Sequence, residues 1–433
     1  MERENFNQRV IMSEAQDRAE VVVVGAGLAG LACALDLVAL GRDVRLVEAS
    51  DGVGGRVRTD AVDGFLLDRG FQVILEAYPE LRRRVDLKAL DLKAFYPGAL
   101  VRIGNEVHRM ADPGLEMADA LRSITAPVGT FADKLRVARL RQEVVGGDAE
   151  RLLEAPAGTT EEVLREAGFS EGMIDRFFRP FFGGVLLDPT LGVSGRLFRY
   201  YFRMFAEGTS SLPATGMEAL PRQLAARLPE GTLQLNHPVR KVTASRVEFE
   251  GGGSLEAEAV VVAVEGPEAA RLLGDRVADP GSRSVTCLYF DAPESPVNEE
   301  ILVLNGNGPS DGPVNNLAVL SDVARGYAPP GRALISVTVV GEPNGSELEL
   351  EQDVRRQLTG WYGDQVSGWK AIRQYHIAHA QPLQTPALMT SHRRPVRLDT
   401  GLYVCGDHRD HASLNGALSS GGRAAREVHR ALS

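Results

Sequence analysis

An α/β fold, in which a dinucleotide-binding sheet is assembled from both ends of the chain and an α+β domain is interleaved with it, is predicted by three observations. Four valines at 21–24 lead into Gly25-Ala26-Gly27-Leu28-Ala29-Gly30 and then into an apolar helical stretch. A second apolar strand at 43–47 ends on the acid Glu48. Near the other terminus a further apolar strand, at 401–405, is followed at once by Gly406 and Asp407.

Each glycine of the first motif has its own job. Gly25 permits a tight turn, and Gly27 lets the backbone approach a pyrophosphate. Gly30 lets helix and strand pack closely, so that the phosphates meet the positive helix N-terminus. A helix is expected over 31–40, ended by Gly41, with the next strand over 43–48. Glu48 stands 18 residues after Gly30, where it accepts from a ribose hydroxyl. The strand before, the helix after and the acid beyond make the motif specific; glycine spacing alone does not.

Composition bounds the rest. The chain has 433 residues, enough for two domains, with 44% apolar and 24% charged residues. A net charge of −10 argues against nucleic acid as a partner. No run approaches the roughly 18 apolar residues of a membrane span. Residues 1–19 are polar and mixed in charge, without the apolar core of a secretion signal. They are expected to be a disordered leader, or extra sequence before a start at Met12. Cys33, Cys287 and Cys405 are far apart and each sits in an apolar run, as small buried hydrophobes do. With no CxxC, no HExxH and no cluster among the eight histidines, neither a disulfide framework nor a metal is expected. A cytoplasmic location follows.

The remaining elements follow in order. Residues 20–75 form the nucleotide unit, and a helical pattern runs from about 113 to 207. It includes 131–144 and 160–167, the latter opened by Thr159-Thr160-Glu161-Glu162 as a capping start. A helix at 216–228 leads to a strand pair around 233–249 and a buried strand at 259–264. Short strands at 285–290, 301–304 and 333–340 follow, with a helix at 348–361, and the last helix runs from near Gly416 to Leu432. The nucleotide-binding domain is therefore assigned to 20–90, 208–270 and 386–433. The second domain takes 91–207, largely helical, and 271–385, mainly sheet.

Two more motifs define the cofactor. Asp51-Gly-Val-Gly54-Gly55-Arg56 places two glycine amides and a fixed positive charge just past Glu48. At the far end Gly406 and Asp407, followed by the glycine-bearing helix start at 416, offer hydrogen bonds to a ribitol or pyrophosphate. A cofactor long enough to span both ends of the chain is implied. The set Gly25-Gly27-Gly30, Glu48, Gly54-Gly55-Arg56, Leu67-Asp68-Arg69-Gly70, Pro213-Ala214-Thr215-Gly216-Met217, Val239 and Gly406-Asp407 with Gly416-Ala417 and Ser420-Gly421 resembles the FAD-dependent amine oxidase and phytoene desaturase superfamily. The likeness runs from about 20 to 432 and is weakest over 282–370. The stretches at 65–73 and 179–185 are most similar to the phytoene-desaturase-related oxidoreductases.

The resemblance implies a Rossmann-type, GR2-like FAD-binding domain with an interleaved α+β substrate domain. It implies extended, non-covalent FAD, since no cysteine lies between 376 and 400. Gly25, Gly27, Leu28, Ala29 and Gly30 would hold the pyrophosphate, and Glu48 with Ala49 the adenosine ribose. Gly54, Gly55 and Arg56 would lie along the phosphates and flavin, and Val239 would offer its backbone to adenine. Gly70, Phe71 and Gln72 would approach flavin and substrate. Asp407, after Gly406, would meet phosphate or ribitol, while Asn415, Gly416, Ala417 and Leu418 would border the pyrimidine edge. Ser413 and Thr286 fall where amine oxidases of the family carry a tyrosine and a lysine, which weighs against an amine.

No catalytic dyad stands out, as expected if flavin carries the chemistry. His408, His411 and Tyr375 are the side chains considered for a catalytic part. For His408 and His411, which flank Arg409 and Asp410, the alternative is a solvated, salt-bridged loop. Asp68 and Arg69 are expected to pair locally or to support the flavin loop. Phe177, Phe178, Phe181 and Phe182 read as core, or as a cavity wall. Lys134, Arg136, Arg139 and Arg141, interleaved with Phe131, Leu135 and Leu140, read as a solvated helix face, with peripheral membrane contact as the alternative. The expected function is FAD-dependent dehydrogenation of an apolar small-molecule substrate, polyene or terpenoid, by hydride transfer to flavin. Amine oxidation, redox-neutral polyene isomerisation and flavin binding without catalysis stand as alternatives.

Overall fold

Strand Arg18–Val24 is the axis of the larger sheet. It runs parallel to Val44–Val47 on one side and to Ser254–Val262 on the other. Leu233–Gln234 extends the sheet beyond Val44–Val47, and Leu402–Val404 extends it beyond Ser254–Val262, both again in parallel. These strands are runs of valine, leucine and alanine because helices or other layers cover both faces. The N-terminal, central and C-terminal pieces thus meet in one sheet. The computed structural model describes residues 18–111 and 126–433. Of the leader assigned to 1–19, residues 1–17 lie outside the described residues, as does the stretch 112–125 with the start of the helical run, while Arg18 and Ala19 already belong to the first strand.

The first helix spans Leu28–Ala39, beginning three residues before its expected start. Gly27 is already its N-cap, in an extended conformation, so the glycine motif itself enters the helix. This helix packs against the terminal helix Leu414–Leu432 at a distance only glycine allows. A Cβ on Gly421 would stand 2.1 Å from the carbonyl oxygen of Ala29. The helix expected over 216–228 is shorter, Ala219–Ala225, because the chain turns at Gly216 and through Met217 and Glu218 first. The pair expected around 233–249 also resolves differently. Leu233–Gln234 joins the parallel edge, and the antiparallel hairpin is Val239–Val242 with Arg246–Phe249.

The second sheet has seven strands in the order Lys370–Pro382, Ser282–Ala292, Ala333–Val340, Asn316–Val319, Leu302–Asn305, Gly98–Ile103 and Glu106–Ala111. Within the part read as largely helical, Leu92–Ala94, Gly98–Ile103 and Glu106–Ala111 are strands. Helices follow from Phe131–Val144 onward. Thr160–Glu166 opens with the expected capping box, in which Thr159 and Glu162 exchange hydrogen bonds. Arg179–Val185 lies on the second sheet. Phe178 and Phe182 of this region are core, together with Phe198, while Phe177, Phe181, Phe202 and Phe205 are half-buried. All three cysteines are fully buried and free, the environment their apolar runs suggest. Among the described residues no helix is long and apolar enough to cross a membrane.

Candidate cofactor and active site

The opening of the first sheet is lined by backbone. Gly25 has φ +102°, a region closed to most L-residues, and this turns the chain from strand to helix. A Cβ on Gly30 would stand 1.8 Å from the carbonyl oxygen of Gly25, so helix and turn touch directly. At Gly27 a Cβ would meet nothing within 4 Å, which leaves one side of the turn open. Leu28–Ala39 has no side-chain N-cap and no acid in its first turn, so its first amides are available to an anion. Gly54 bridges Gly27 and donates from its amide to Ala26 (2.9 Å), which brings Gly55 and Arg56 to the same opening.

Charged groups surround this backbone cradle. Glu48 accepts from the Ala26 amide (2.7 Å) with one oxygen and from Ser50 (2.7 and 2.9 Å) with the other. It is half-buried, beside the exposed Ala49. Arg56 donates to Asp407 (2.8 Å) and to the Ala380 carbonyl (2.7 Å), joining the two ends of the chain. The Gly406 amide is held by Ser420 (2.8 Å). His408 is buried beside them, with no protein partner for either ring nitrogen. Burial pushes its imidazole down to about 4, so it is neutral at pH 7. An open glycine turn, an uncapped helix start, a guanidinium and an orphaned buried imidazole fit an elongated dinucleotide.

The remaining predicted residues fall in three places. Gly70, where an added Cβ would stand 3.1 Å from Ile377, leads to half-buried Phe71 and Gln72, and Gln72 donates to the Arg56 carbonyl (2.8 Å). Tyr375 lies on the same strand as Ile377 and donates to Asp60 (2.6 Å). Asp60 also holds Arg69 (2.9 Å), and that pairing keeps its carboxyl below the usual range. Gly416, Ala417 and Leu418 form the first turn of the terminal helix, capped by Ser413 accepting from the Gly416 amide (2.9 Å). Asn415 is turned away from the glycine turn: its side chain accepts from the Glu80 amide (2.8 Å) and donates to Tyr200 (3.0 Å). The Val239 carbonyl accepts from Arg271 (3.0 Å).

The solvated-loop reading of His408 and His411 is corrected, for both are only 2% exposed. Arginines fold over the loop: Arg394 donates to the His408 carbonyl and Arg423 to the Arg409 carbonyl. His411 Nδ1 lies 2.7 Å from Asp410 Oδ1. Burial alone would raise the Asp410 carboxyl, but His411 and Arg423 bring it below its ordinary value. Asp68 and Arg69 do not pair with each other. Asp68 is buried and accepts from Thr59 (2.5 Å), the Met217 amide (2.9 Å) and Tyr327 (2.8 Å). Asp60, Tyr327 and Tyr200 were not legible as site residues, because their partners Tyr375, Asp68 and Asn415 lie far away in sequence.

A family profile described as flavin containing amine oxidoreductase matches residues 28–429. The chain belongs to that family. As a member of that family it is an FAD-dependent oxidoreductase. Putrescine oxidase of Kocuria rosea is 47% identical over 85 residues, covering 20% of this chain and 18% of that protein. Protoporphyrinogen oxidase 2 of Arabidopsis thaliana is 27% identical over 177 residues, 41% of this chain and 34% of that one. These curated relatives are therefore matched over about a third of their length or less. Cyclohexylamine oxidase from Brevibacterium oxydans shares the fold, with a TM-score of 0.67 at 18% identity over 96% of this chain and 99% of that one.

Proposed function

We propose that this FAD-dependent oxidoreductase dehydrogenates an apolar organic substrate, a polyene or terpenoid, at a CH–CH unit. The observation that carries the reading is a half-buried aromatic cluster near the cofactor opening, which we take as the wall of the substrate site. Phe177, Phe181, Phe202 and Phe205 are half-buried, and their rings pack together, Phe181 lying 5.1 Å from Phe205 and 5.6 Å from Phe177. Gln381 donates to Val185, the last residue of the helix bearing Phe181 (2.9 Å). The carbonyl of its neighbour Ala380 accepts from Arg56. Aromatic faces bind apolar chains and exclude water from a reacting C–H bond.

Bound flavin supplies the acceptor for a hydride leaving carbon. The chain's own residues orient the substrate against the wall and keep water out. Gly54, Gly55, Arg56, Asp407 and the first turn of the terminal helix would hold the cofactor, with Gly25, Gly27 and Gly30 at its pyrophosphate and Glu48 at the adenosine ribose. The second reading, an amine substrate, is favoured by the family and by the names of its relatives. Against it, Thr286 is buried and bonded to His376 (3.0 Å), and Ser413 is a helix cap.

The test is anaerobic. Adding a linear polyene to the oxidised holoprotein is expected to bleach the visible flavin band, whereas putrescine and cyclohexylamine leave it unchanged. Bleaching by an amine and not by the polyene would reverse the assignment.

A further inference from the structure

Between the sheet edge Leu233–Gln234 and the hairpin that opens at Val239, the chain runs past Glu48. The Asn236 amide donates to the Ser50 carbonyl (3.0 Å), and the His237 amide donates to the Glu48 carbonyl (2.8 Å). Asn236 makes the turn in a left-handed conformation, φ +59°, which its residue type tolerates. His237 is thereby fixed one main-chain hydrogen bond from the acid assigned to the adenosine ribose.

Its imidazole is held in one orientation and one tautomer. Nδ1 lies 2.6 Å from the Leu235 carbonyl oxygen, and the ring meets Phe249 edge-on, 5.2 Å between centroids. A carbonyl oxygen only accepts, so Nδ1 carries the proton. Turning the ring over would place a carbon 2.6 Å from that oxygen, well inside van der Waals contact, which excludes the flipped ring. The neutral ring therefore presents a lone pair on Nε2. That nitrogen has no partner among the described residues, and unlike the buried nitrogens of His408 it is open to solvent on a half-buried ring.

An oriented acceptor calls for a donor, and an adenosine offers two kinds. Its ribose hydroxyls are taken by the acid that ends the second strand, here Glu48. The 6-amino group of the base remains, on a ring joined directly to that ribose. We propose that His237 Nε2 accepts from the 6-amino group of the FAD adenine and so makes the site selective for adenine over a purine with a carbonyl at that carbon. Such a purine turns a lone pair towards a lone pair, and both stay unpaired. The assignment rests on the adenosine ribose lying at Glu48.

The test titrates deflavinated protein with FAD and with flavin hypoxanthine dinucleotide, its deaminated analogue, and follows binding by flavin fluorescence. His237→Phe keeps a ring against Phe249 and removes Nε2. The preference for FAD over the analogue, read as the ratio of the two affinities, should fall about tenfold from its wild-type value. In wild-type protein carrying ¹⁵N-labelled histidine, FAD should shift the His237 Nε2 resonance, while the analogue leaves it in place. That measurement needs no variant and stands if His237→Phe fails to fold. An unchanged affinity ratio, or equal shifts with both nucleotides, overturns the proposal, for the imidazole then meets the ribose or only braces the turn. Glu48→Gln reports on the ribose separately and should weaken both nucleotides alike. If it weakens neither, the ribose lies elsewhere and the proposal falls with that placement. If it weakens both while His237→Phe leaves the ratio unchanged, the adenine contact alone is overturned.

Discussion

Gly30→Ala is expected to give a protein that purifies without flavin and melts at a lower temperature. The methyl carbon would lie 1.8 Å from the carbonyl oxygen of Gly25 and 3.0 Å from its carbon. Neither contact is relieved by a rotamer change, because both partners are main chain, so the first helix must move off the turn. Gly27→Ala separates cofactor loss from fold loss. Its φ of −70° suits any residue, and the new methyl meets no protein atom within 4 Å. That variant is expected to melt like the wild type when free of FAD. It should nonetheless lose about 3 kcal/mol of FAD binding, on the order of a hundredfold, as the methyl displaces phosphate from two amides. Titrating FAD into deflavinated protein, with thermal melts alongside, measures both effects. Wild-type affinity in Gly27→Ala would move the pyrophosphate away from this turn.

Such a pair could be chosen from the sequence because the cradle is local. Gly25 to Gly30, Glu48 and Gly54 to Arg56 are close in the chain, and each residue type is forced by backbone geometry or by charge. The return of Asp407 was also legible, since a short apolar strand ending in Gly-Asp has few places to go except the parallel sheet. What failed was legibility across distance. Tyr375 and its partner Asp60 are 315 residues apart, and nothing local to either reveals the bond. The stretch 408–411 has the composition of a solvated loop, yet Arg394 and Arg423 bury it by binding its carbonyls. A polar segment goes inside when its hydrogen bonds are made by side chains from elsewhere, and a single sequence does not record those donors. The bonds of Asn415 are hidden in the same way, for its partners Glu80 and Tyr200 are 335 and 215 residues away.

The second large effect is expected at Asp68. This carboxyl is 1% exposed, and burial pushes it up to about 6. It ties together distant pieces of the chain: Thr59 and Met217 bond to one oxygen and Tyr327 to the other, while Tyr289 donates to its backbone carbonyl (2.7 Å). Asp68→Ala would strand three donors without an acceptor. At roughly 1–3 kcal/mol each, the loss is on the order of 5 kcal/mol, a large share of the stability of most domains. Asp68→Asn is milder, for its carbonyl still accepts from Thr59 and Met217, and the Tyr327 hydroxyl can turn to accept from the amide. This second variant exposes the proton. A carboxyl whose pKa is higher folded than unfolded favours the native state when protonated, so its contribution is full below the unfolded value near 3.8 and is lost as pH rises through 6. Relative to Asp68→Asn, the wild type should therefore gain about 2 kcal/mol between about pH 7.5 and pH 4.5 in urea unfolding. Parallel curves for the two proteins would mean that the proton is not taken up at Asp68, and that its three donors hold it ionised across the whole range.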